Sequence, residues 1–324
     1  MNKSKSNNRG HKAKTPKEIP TRGWKDIAKR VIDQISKDHV QIVSAGVGFY
    51  FFISLFPTII AAISIYSLII DTAQIQDQLA MLNSLLPAEA YQTVEQIVEP
   101  ILQKSDQTLS WGLGLSILLS LWSANKGTSA LFEGINIAYD EEDERSFFKK
   151  TAITLTFTLG LILAGLLSLL LVIFFPVLVG NLGLSTTISS VITWGRWLVL
   201  GLLLIFSLGL IYKIAPHRDN PRFRWVSWGA ALSSFMWIIG SILFSWYVRN
   251  FGSYGDVYGS FAAVVILLLW LFLTSFIVLL GAEINSEMEH QTSKDTTIGK
   301  EEPMGQREAY HADRVAGKDK GADA

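Results

Sequence analysis

Six long apolar runs dominate this chain of 324 residues and restrict the folds open to it. The hydrocarbon core of a bilayer is about 30 Å thick, so a helix that crosses it needs roughly 20 apolar residues. Lipid offers no hydrogen bonds to the backbone, and helices satisfy their own. Runs of this length cover residues 40–70, 108–127, 151–179, 187–212, 225–248 and 257–282. The sequence therefore predicts an all-α polytopic membrane protein with six transmembrane helices.

The composition of the chain supports the same class. Hydrophobic residues make up 49% of it and charged residues only 17%, whereas soluble domains carry about 25% charged residues. There is no cysteine, which excludes disulfides, thiolate metal sites and cysteine catalysis. Residues 1–38 are basic and lack the apolar segment of a signal peptide, so the first apolar run is expected to remain in the mature protein.

Lysine and arginine collect on one side of the predicted membrane. Residues 1–39 carry eleven of them, and the connections after the second and fourth runs carry further clusters. Residues 71–107, on the opposite side, carry one lysine beside six acidic residues. Cytoplasmic loops are enriched in lysine and arginine. The pattern predicts a multi-pass protein of the bacterial cytoplasmic (inner) membrane with both termini in the cytoplasm.

Several extramembrane segments surround the spans. Residues 1–22 and 290–324 are polar and aperiodic, and both are predicted to be disordered cytoplasmic tails around a membrane domain over residues 23–289. Residues 24–35 repeat apolar side chains at helical spacing, which predicts an amphipathic helix. This helix lies either on the inner membrane surface or packed under the bundle. The outer loop 71–107 holds two acidic amphipathic stretches that are predicted to cap the bundle.

Ionisable residues at membrane depth are costly, and they are therefore functional candidates. Lys126 and Glu133 are seven residues apart, so two helical turns place them on one face, about 10 Å apart along the axis. Asn136 adds a polar group nearby. This group fits a polar pathway or gate. Alternatively, Lys126 lies at the inner boundary of its span and extends its ammonium group to the interface.

Three further polar residues occur in later spans. Arg196 lies beside Trp197, several residues into the fourth run. It is either an anchor in an interfacial aromatic belt or a guanidinium held inside the bundle for an anion or a carboxylate. Glu283 and Asn285 close the sixth run. A carboxylate opposes the dipole at a helix C-terminus, so a cationic partner for Glu283 is expected, from Lys126 or from a loop arginine.

Pro57 interrupts the first run and is predicted to kink it, which makes it a candidate hinge. The sequence contains no phosphate-binding glycine loop, nucleophile elbow or zinc-binding histidine motif. The five histidines have no ligand spacing. No catalytic residue, metal site or cofactor is therefore predicted, and the chain is not expected to be an enzyme.

Three groups of residues resemble motifs of the YihY/virulence factor BrkB family. They are SAGVGFYFFISLFP over residues 44–57, LWS at 121–123 leading to Asn136 and Tyr139, and YGS, LW and LGAEIN at 258–260, 269–270 and 280–285. The resemblance covers residues 24–287 and implies a six-span bacterial inner-membrane protein. The family has carried a ribonuclease BN label and a serum-resistance label. Nothing in this sequence supports a nuclease, because it offers no cluster of carboxylates or histidines for a metal.

Two functional hypotheses follow from these features. In the first, the protein is of transport type and moves a small solute or a lipid along a pathway that includes Lys126, Glu133 and Arg196. In the second, it is a non-transport scaffold of the cell envelope. The basic N-terminal segment faces membrane lipids, so membrane lipids rather than nucleic acid are the predicted partners. The sequence specifies neither a substrate nor an oligomeric state.

Overall fold

The computed structural model describes residues 9–67, 109–176, 179, 186–251 and 261–316, which fold into long helices. In chain order these are α1 (Thr21–Lys37), α2 (Val40–Ser67), α3 (Leu109–Ala138), α4 (Phe147–Leu169), α5 (Thr186–Ile214), α6 (Phe223–Phe251) and α7 (Ala262–His290). α4 continues as a π-helical turn over Leu170–Phe174. The described residues contain no β-strand, only one isolated bridge between Pro221 and Thr297, so the all-α class is confirmed.

Five of the helices are long and apolar enough to cross a membrane. The candidate spans are Val40–Ala61, Phe147–Ile173, Ile188–Ile214, Phe223–Asn250 and Ala262–His290. They coincide with the first, third, fourth, fifth and sixth predicted runs, and α3 is helical over the second. The outer loop, with its two predicted amphipathic stretches, lies outside the described residues. The structure therefore supports a multi-pass membrane protein with five candidate spans in its described part.

α2 lies at the centre of the bundle. It packs most extensively against α3, then against α7, and it also contacts α1 and α4. Gly48 allows the close α2–α7 contact, because a Cβ there would lie 3.1 Å from the backbone nitrogen of Phe272. Small residues commonly let helices approach one another inside membranes. α6 packs against both α7 and α5, and α3 packs against α4, so each spanning helix has at least one neighbour in the bundle.

The buried apolar core lies at one end of the bundle. Its members come from the beginnings of α2 and α6 and the ends of α3, α5 and α7, and they include Val40, Val47, Leu131, Phe132, Ile135, Tyr139, Leu208, Tyr212, Val226 and Leu279. The described segments nearest the two chain termini also pack here, so we call it the tail-side end. Toward the other end the helices expose large apolar side chains, among them Leu118, Val191, Trp194 and Ile242. Such surface is stable against lipid tails.

The amphipathic helix α1 packs under the bundle, which is one of the two placements predicted from its sequence. Ile27 and Val31 are 2% and 5% exposed. They form a small second core with Trp225 and Met288 at the tail-side end. The indole ring of Trp24 adds a contact with Trp228, at 5.9 Å between ring centroids. These stripe residues are therefore packed against protein, whereas Ile32 of the same helix stays 66% exposed.

The segments next to the two termini contact each other at the tail-side end. The backbone N–H of Ser293 donates to the carbonyl oxygen of His11 at 2.9 Å, and the hydroxyl of Thr292 donates to the carbonyl oxygen of Ala13 at 2.7 Å. The guanidinium of Arg307 donates to carbonyl oxygens within the C-terminal segment, including that of Ala312. The sequence prediction of two aperiodic tails does not anticipate these contacts. Residues 1–8 and 317–324 lie outside the described residues.

A buried ion pair joins the end of α7 to the connection between α5 and α6. The Nη2 of Arg218 donates to both carboxylate oxygens of Glu289, at 2.9 and 2.7 Å, and both side chains are fully buried. The hydroxyl of Thr296 donates to the same carboxylate at 2.7 Å. Removing one partner of a buried pair leaves the other charge uncompensated in a low-dielectric environment. The pair therefore makes the tail-side end sensitive to single substitutions.

We expect Glu289→Ala to destabilise the protein by about 3–5 kcal/mol, because the guanidinium of Arg218 then stays buried without its carboxylate. The matched control is Glu133→Ala, since Glu133 also pairs with a cation, Lys150 at 3.0 Å, but is 58% exposed. An exposed pair contributes about 0–1 kcal/mol. Thermal unfolding in detergent micelles measures both variants. Equal shifts of the two unfolding midpoints would contradict a structural role for the buried pair.

Candidate functional site

Polar and ionisable side chains concentrate at the tail-side end, around the last two turns of α7. Glu283, Glu287 and Glu289 are all buried there. Two residues with positive φ bring further acids to the same place. His39, with φ of 49°, forms the corner between α1 and α2 beside Asp38, and Asp140, with φ of 53°, follows the end of α3. Since such φ values break a helix, the local conformation itself places these carboxylates next to α7.

Glu287, like Glu289, has a cationic partner. The Nε of Arg30, from α1, donates to its Oε2, and the Nη2 of Arg30 donates to the carbonyl oxygen of Glu287 at 3.1 Å. The same Nη2 donates to Oε1 of Gln291 at 2.8 Å. The Nδ1 of His290 lies 3.5 Å from Oε2 of Glu287. Arg30 thus ties α1 to the end of α7, in parallel with the pair between Arg218 and Glu289.

Glu283 is fully buried, and its environment differs from that of its neighbours. No N–H or O–H group of the described residues donates to either of its carboxylate oxygens. The charged groups around it are the carboxyls of Asp38, Glu287 and Asp140. Burial raises the pKa of Asp38, and a hydrogen bond with Glu283 partly offsets that rise. The cationic partner predicted for Glu283 from its place at a helix end is not found among the described residues.

The acids that follow α3 contact the C-terminal segment. The Nε2 of His311 lies 3.1 Å from Oδ2 of Asp140, and this contact holds the pKa of Asp140 below its usual value. The backbone N–H of Tyr310 donates to Oε1 of Glu141 at 2.7 Å. Burial raises the pKa of Glu141 to about 7. The C-terminal segment is therefore held to the bundle partly by Glu141, whose pKa lies in the physiological range.

The two asparagines among the predicted site residues tie helices together. Oδ1 of Asn285 accepts the backbone N–H of Gly229 at 2.9 Å, and a side chain at Gly229 would collide with this amide. Oδ1 of Asn136 accepts the backbone N–H of His217 at 2.8 Å. Both asparagines are buried, so these bonds satisfy groups that would otherwise be unpaired. Asn285 fixes α6 on α7, and Asn136 fixes the connection between α5 and α6 on α3.

The charged residues predicted for a polar pathway are not brought together. Lys126 is exposed, and exposed Glu133 pairs with Lys150. Arg196 lies on α5, about 27 Å along the helix axis from its tail-side end at Ile214. Its Nη1 donates to the carbonyl oxygen of Val172, in the π-helical turn, at 3.0 Å. Its guanidinium also lies 5.2 Å from the ring centroid of Trp197, which is the arrangement of a cation over an indole face.

An open cavity of about 270 Å³ lies among the spanning helices, toward the exposed half and next to the core. α2, α3, α4 and α7 line it with Phe51, Leu55, Thr58, Ile59, Ala124, Thr128, Thr158, Leu161, Ile162, Gly165, Leu166, Leu169 and Leu271. None of the predicted site residues is in this lining. Pro57 precedes one lining residue, Thr58, within α2, which continues through the proline.

The polar part of the cavity wall is a small hydrogen-bonded group that the sequence prediction missed. The hydroxyl of Thr158 lies within hydrogen-bonding distance of the Thr128 hydroxyl, at 2.8 Å, and of Oδ1 of Asn125, at 3.1 Å. Threonine carries no charge and is common in membrane helices. Its burial in a span therefore has no large free-energy cost, and neither such a cost nor a motif pointed to these positions. In the part of the chain that is described, no group of three histidine, aspartate or glutamate side chains is arranged to hold a metal ion.

Comparison with known proteins gives a consistent family relationship. The family described as "Virulence factor BrkB" matches residues 31–305. Ribonuclease-like protein YfkH of Bacillus subtilis is 32% identical over 263 residues, which are 80% of this chain and 93% of that protein. No solved structure matches the chain.

Two further relatives are described only as membrane proteins. A UPF0761 membrane protein of Idiomarina loihiensis is 25% identical over 65% of this chain and 71% of its own length. A UPF0761 membrane protein of Tolumonas auensis is 30% identical over 57% of this chain and 59% of its own length. The family match covers α2 to α7 and the buried acids of the tail-side end. With apolar spans and a match over most of its length, this chain is a membrane protein of the virulence factor BrkB family.

Proposed function

We propose that the protein is of transport type and moves an amphipathic molecule, a lipid or a solute with an apolar portion, across the bacterial inner membrane. The observation that carries this proposal is the cavity among α2, α3, α4 and α7. It lies within the spanning part of the bundle and stops at the packed core of the tail-side end. Within the described residues the cavity is closed at the tail-side end, as expected of a transporter in one of its two access states.

The proposal includes six spans with both termini in the cytoplasm. The sixth span is the first part of α3, which is helical over residues 109–127 of the second apolar run. The tail-side end carries many lysines and arginines, including Arg30, Lys37, Arg145, Lys149, Lys150, Lys213, Arg218, Arg222 and Arg224. Enrichment of these residues marks the cytoplasmic side. The proposal therefore places the closed end of the cavity toward the cytoplasm.

The lining of the cavity indicates the chemistry of the transported molecule. All lining residues are apolar except Thr58, Thr128 and Thr158, and none is ionisable. Moving an ion from water into such surroundings is unfavourable unless charges or dipoles compensate for the lost hydration. The volume of about 270 Å³ is close to the lower limit of about 300 Å³ for small-molecule pockets. An acyl chain or a similar apolar portion fits these properties better than a small ion does.

A scaffold of the cell envelope remains the second candidate. The observation that favours it is that Lys126, Glu133, Arg196 and Glu283 do not line the cavity. Their contacts are those of interfacial anchors and helix ties. We do not extend ribonuclease activity to this chain from the name of its relative. The buried acids Glu287 and Glu289 are bound by Arg30 and Arg218, so these carboxylates are not free to serve as metal ligands.

Filling the cavity is the direct test of the proposal. Gly165 lines the cavity, and a Cβ there would meet no atom within 4 Å, so Gly165→Trp introduces its indole at the cavity wall without a clash at the backbone. The matched control is Gly160→Trp, because Gly160 lies on the same helix with equally open surroundings and is not in the lining. Protein in liposomes should accelerate the exchange of a fluorescent phospholipid between leaflets, with or without a pH gradient. Gly165→Trp should slow this exchange on the order of tenfold, equivalent to about 1.4 kcal/mol in the barrier.

Each outcome of this experiment decides between the two candidates. The fluorescence accessible to a membrane-impermeant quencher reports the exchange, and thermal unfolding confirms that both variants are folded. Exchange no faster than in protein-free liposomes would reject lipid transport and favour the scaffold. Equal slowing by Gly165→Trp and Gly160→Trp would show that the cavity is not the pathway.

Pro57→Ala tests the predicted hinge separately. Proline inside a helix removes one backbone hydrogen bond and costs roughly 3 kcal/mol, so alanine should raise or preserve the thermal midpoint. If bending of α2 beside Thr58 is part of the exchange cycle, the same variant should slow lipid exchange several-fold. Leu115→Ala, at an exposed apolar position of α3, serves as the control for altered lipid contact. Unchanged exchange in Pro57→Ala would remove the hinge from the mechanism.

A further inference from the structure

The carboxyl groups of Asp38 and Glu283 meet in an apolar corner of the tail-side end. Asp38 precedes α2, and Glu283 lies on α7, two turns before its end. The residues around the narrow gap beside the two carboxyls are otherwise apolar and come from α2, α3 and α7: Val40, Val43, Gly134, Ile137, Ala138 and Leu279. Glu283 is fully buried, and no donor of the described residues reaches its oxygens.

The cations of this region are engaged elsewhere. On α7 itself, Glu287 is bound by Arg30 of α1, and His290 is near the same carboxylate. After α3, Asp140 is paired with His311 of the C-terminal segment. The other charged group near Asp38 is Lys37, which is exposed to solvent at the end of α1. No lysine, arginine or histidine of the described residues forms an ion pair with Glu283.

Two ionised carboxylates repel each other strongly in such surroundings, because Glu283 is fully buried and water screens their repulsion only weakly. A single proton changes the sign of the interaction, since a protonated carboxyl donates a short hydrogen bond to its ionised neighbour. A hydrogen bond between Asp38 and Glu283 needs this proton, because neither carboxylate carries one when both are ionised. A proton is the ligand that this pair of oxygens lacks.

We propose that Asp38 and Glu283 form a proton-binding site that holds one shared proton at neutral pH and clamps α7 to the junction of α1 and α2. Loss of the proton leaves two like charges side by side at the tail-side end, Glu283 fully buried and Asp38 half-buried. The end of α7 must then separate from the α1–α2 junction or admit water. The site titrates as a unit, because the two groups share one proton. This inference does not depend on the proposed transport activity.

The pH dependence of stability follows with a definite sign. In the unfolded chain both carboxyls are ionised above about pH 5. The folded protein therefore binds one more proton than the unfolded chain, and its stability falls as the pH rises. Glu141, whose pKa is about 7, contributes below about pH 8. The interval from about pH 8 to about pH 9.5 lies above the pKa of Glu141 and below the pH near 10 at which lysines and tyrosines of an unfolded chain lose their protons.

Thermal unfolding across this interval tests the site. The thermal midpoint of the wild-type protein should fall by roughly 4–8 °C across this interval, because unfolding releases one proton per carboxyl pair. Glu283→Gln replaces the protonated carboxyl by an amide that donates to Asp38, so its midpoint should stay nearly constant and exceed that of the wild type at about pH 9.5. The matched control is Glu142→Gln, an exposed acid near the same end, which should retain the wild-type slope.

Infrared spectroscopy of the wild-type protein gives a readout that needs no variant to fold. At about pH 8.5–9, where Glu141 is ionised, the shared proton should still give a carboxylic-acid C=O stretching band, and Glu283→Gln should remove it. Absence of the band in the wild type, or a wild-type slope in Glu283→Gln, would overturn the proposal. If adding sodium or calcium at about pH 9.5 raised the thermal midpoint of the wild-type protein, the pair would be a cation site, and this too would overturn the proposal.

Discussion

An unpaired charge in a low-dielectric interior has a large unfavourable free energy, and the contacts of the tail-side end depend on avoiding it. Arg218 and Glu289 are both fully buried, and Arg30 reaches Glu287 from α1. Each pair joins the end of α7 to a different segment of the chain. Burying such a pair brings little net stability, but losing one partner is costly. The pairs therefore fix which segments meet α7, while the apolar core supplies the larger share of the stabilisation.

Membrane spans could be predicted from the sequence because hydrophobic length is a local property of the chain. Each run carries its own signal, and the five candidate spans coincide with five of the six runs. The tail-side contacts carry no such signal. Arg218 and Glu289 are 71 residues apart, and nothing in the local pattern pairs them. The C-terminal segment is held by backbone hydrogen bonds and by Arg307 bound to carbonyl oxygens, groups that any sequence supplies. Its polar, aperiodic composition therefore resembles that of a disordered tail.

Only those residues of the candidate site that place an ionisable group at membrane depth could be predicted from the sequence. Glu283 was singled out by the helix dipole, which led to the expectation of a cationic partner, yet its neighbour is the carboxyl of Asp38. The dipole argument assumes an ionised group, whereas a shared proton removes the need for a cation. The cavity was not predicted because its polar residues are threonines. Thr158 also donates to the carbonyl oxygen of Thr154 on its own helix, so it is tolerated in a span at little cost.

α2 and α7 both line the cavity, and both are in contact with the carboxyl pair. These two helices therefore connect the tail-side end to the cavity. α7 carries Leu271 at the cavity and Glu283 at the clamp, twelve residues or about 18 Å further along the axis. α2 begins beside Asp38 and reaches the cavity at Phe51 and the residues that follow. A packed helix moves as a unit, so a shift of α7 against α2 that separates the carboxyls also changes the cavity wall. Any molecule that fits the cavity better in one of these two arrangements would then alter the affinity of the pair for its proton, because such coupling is reciprocal.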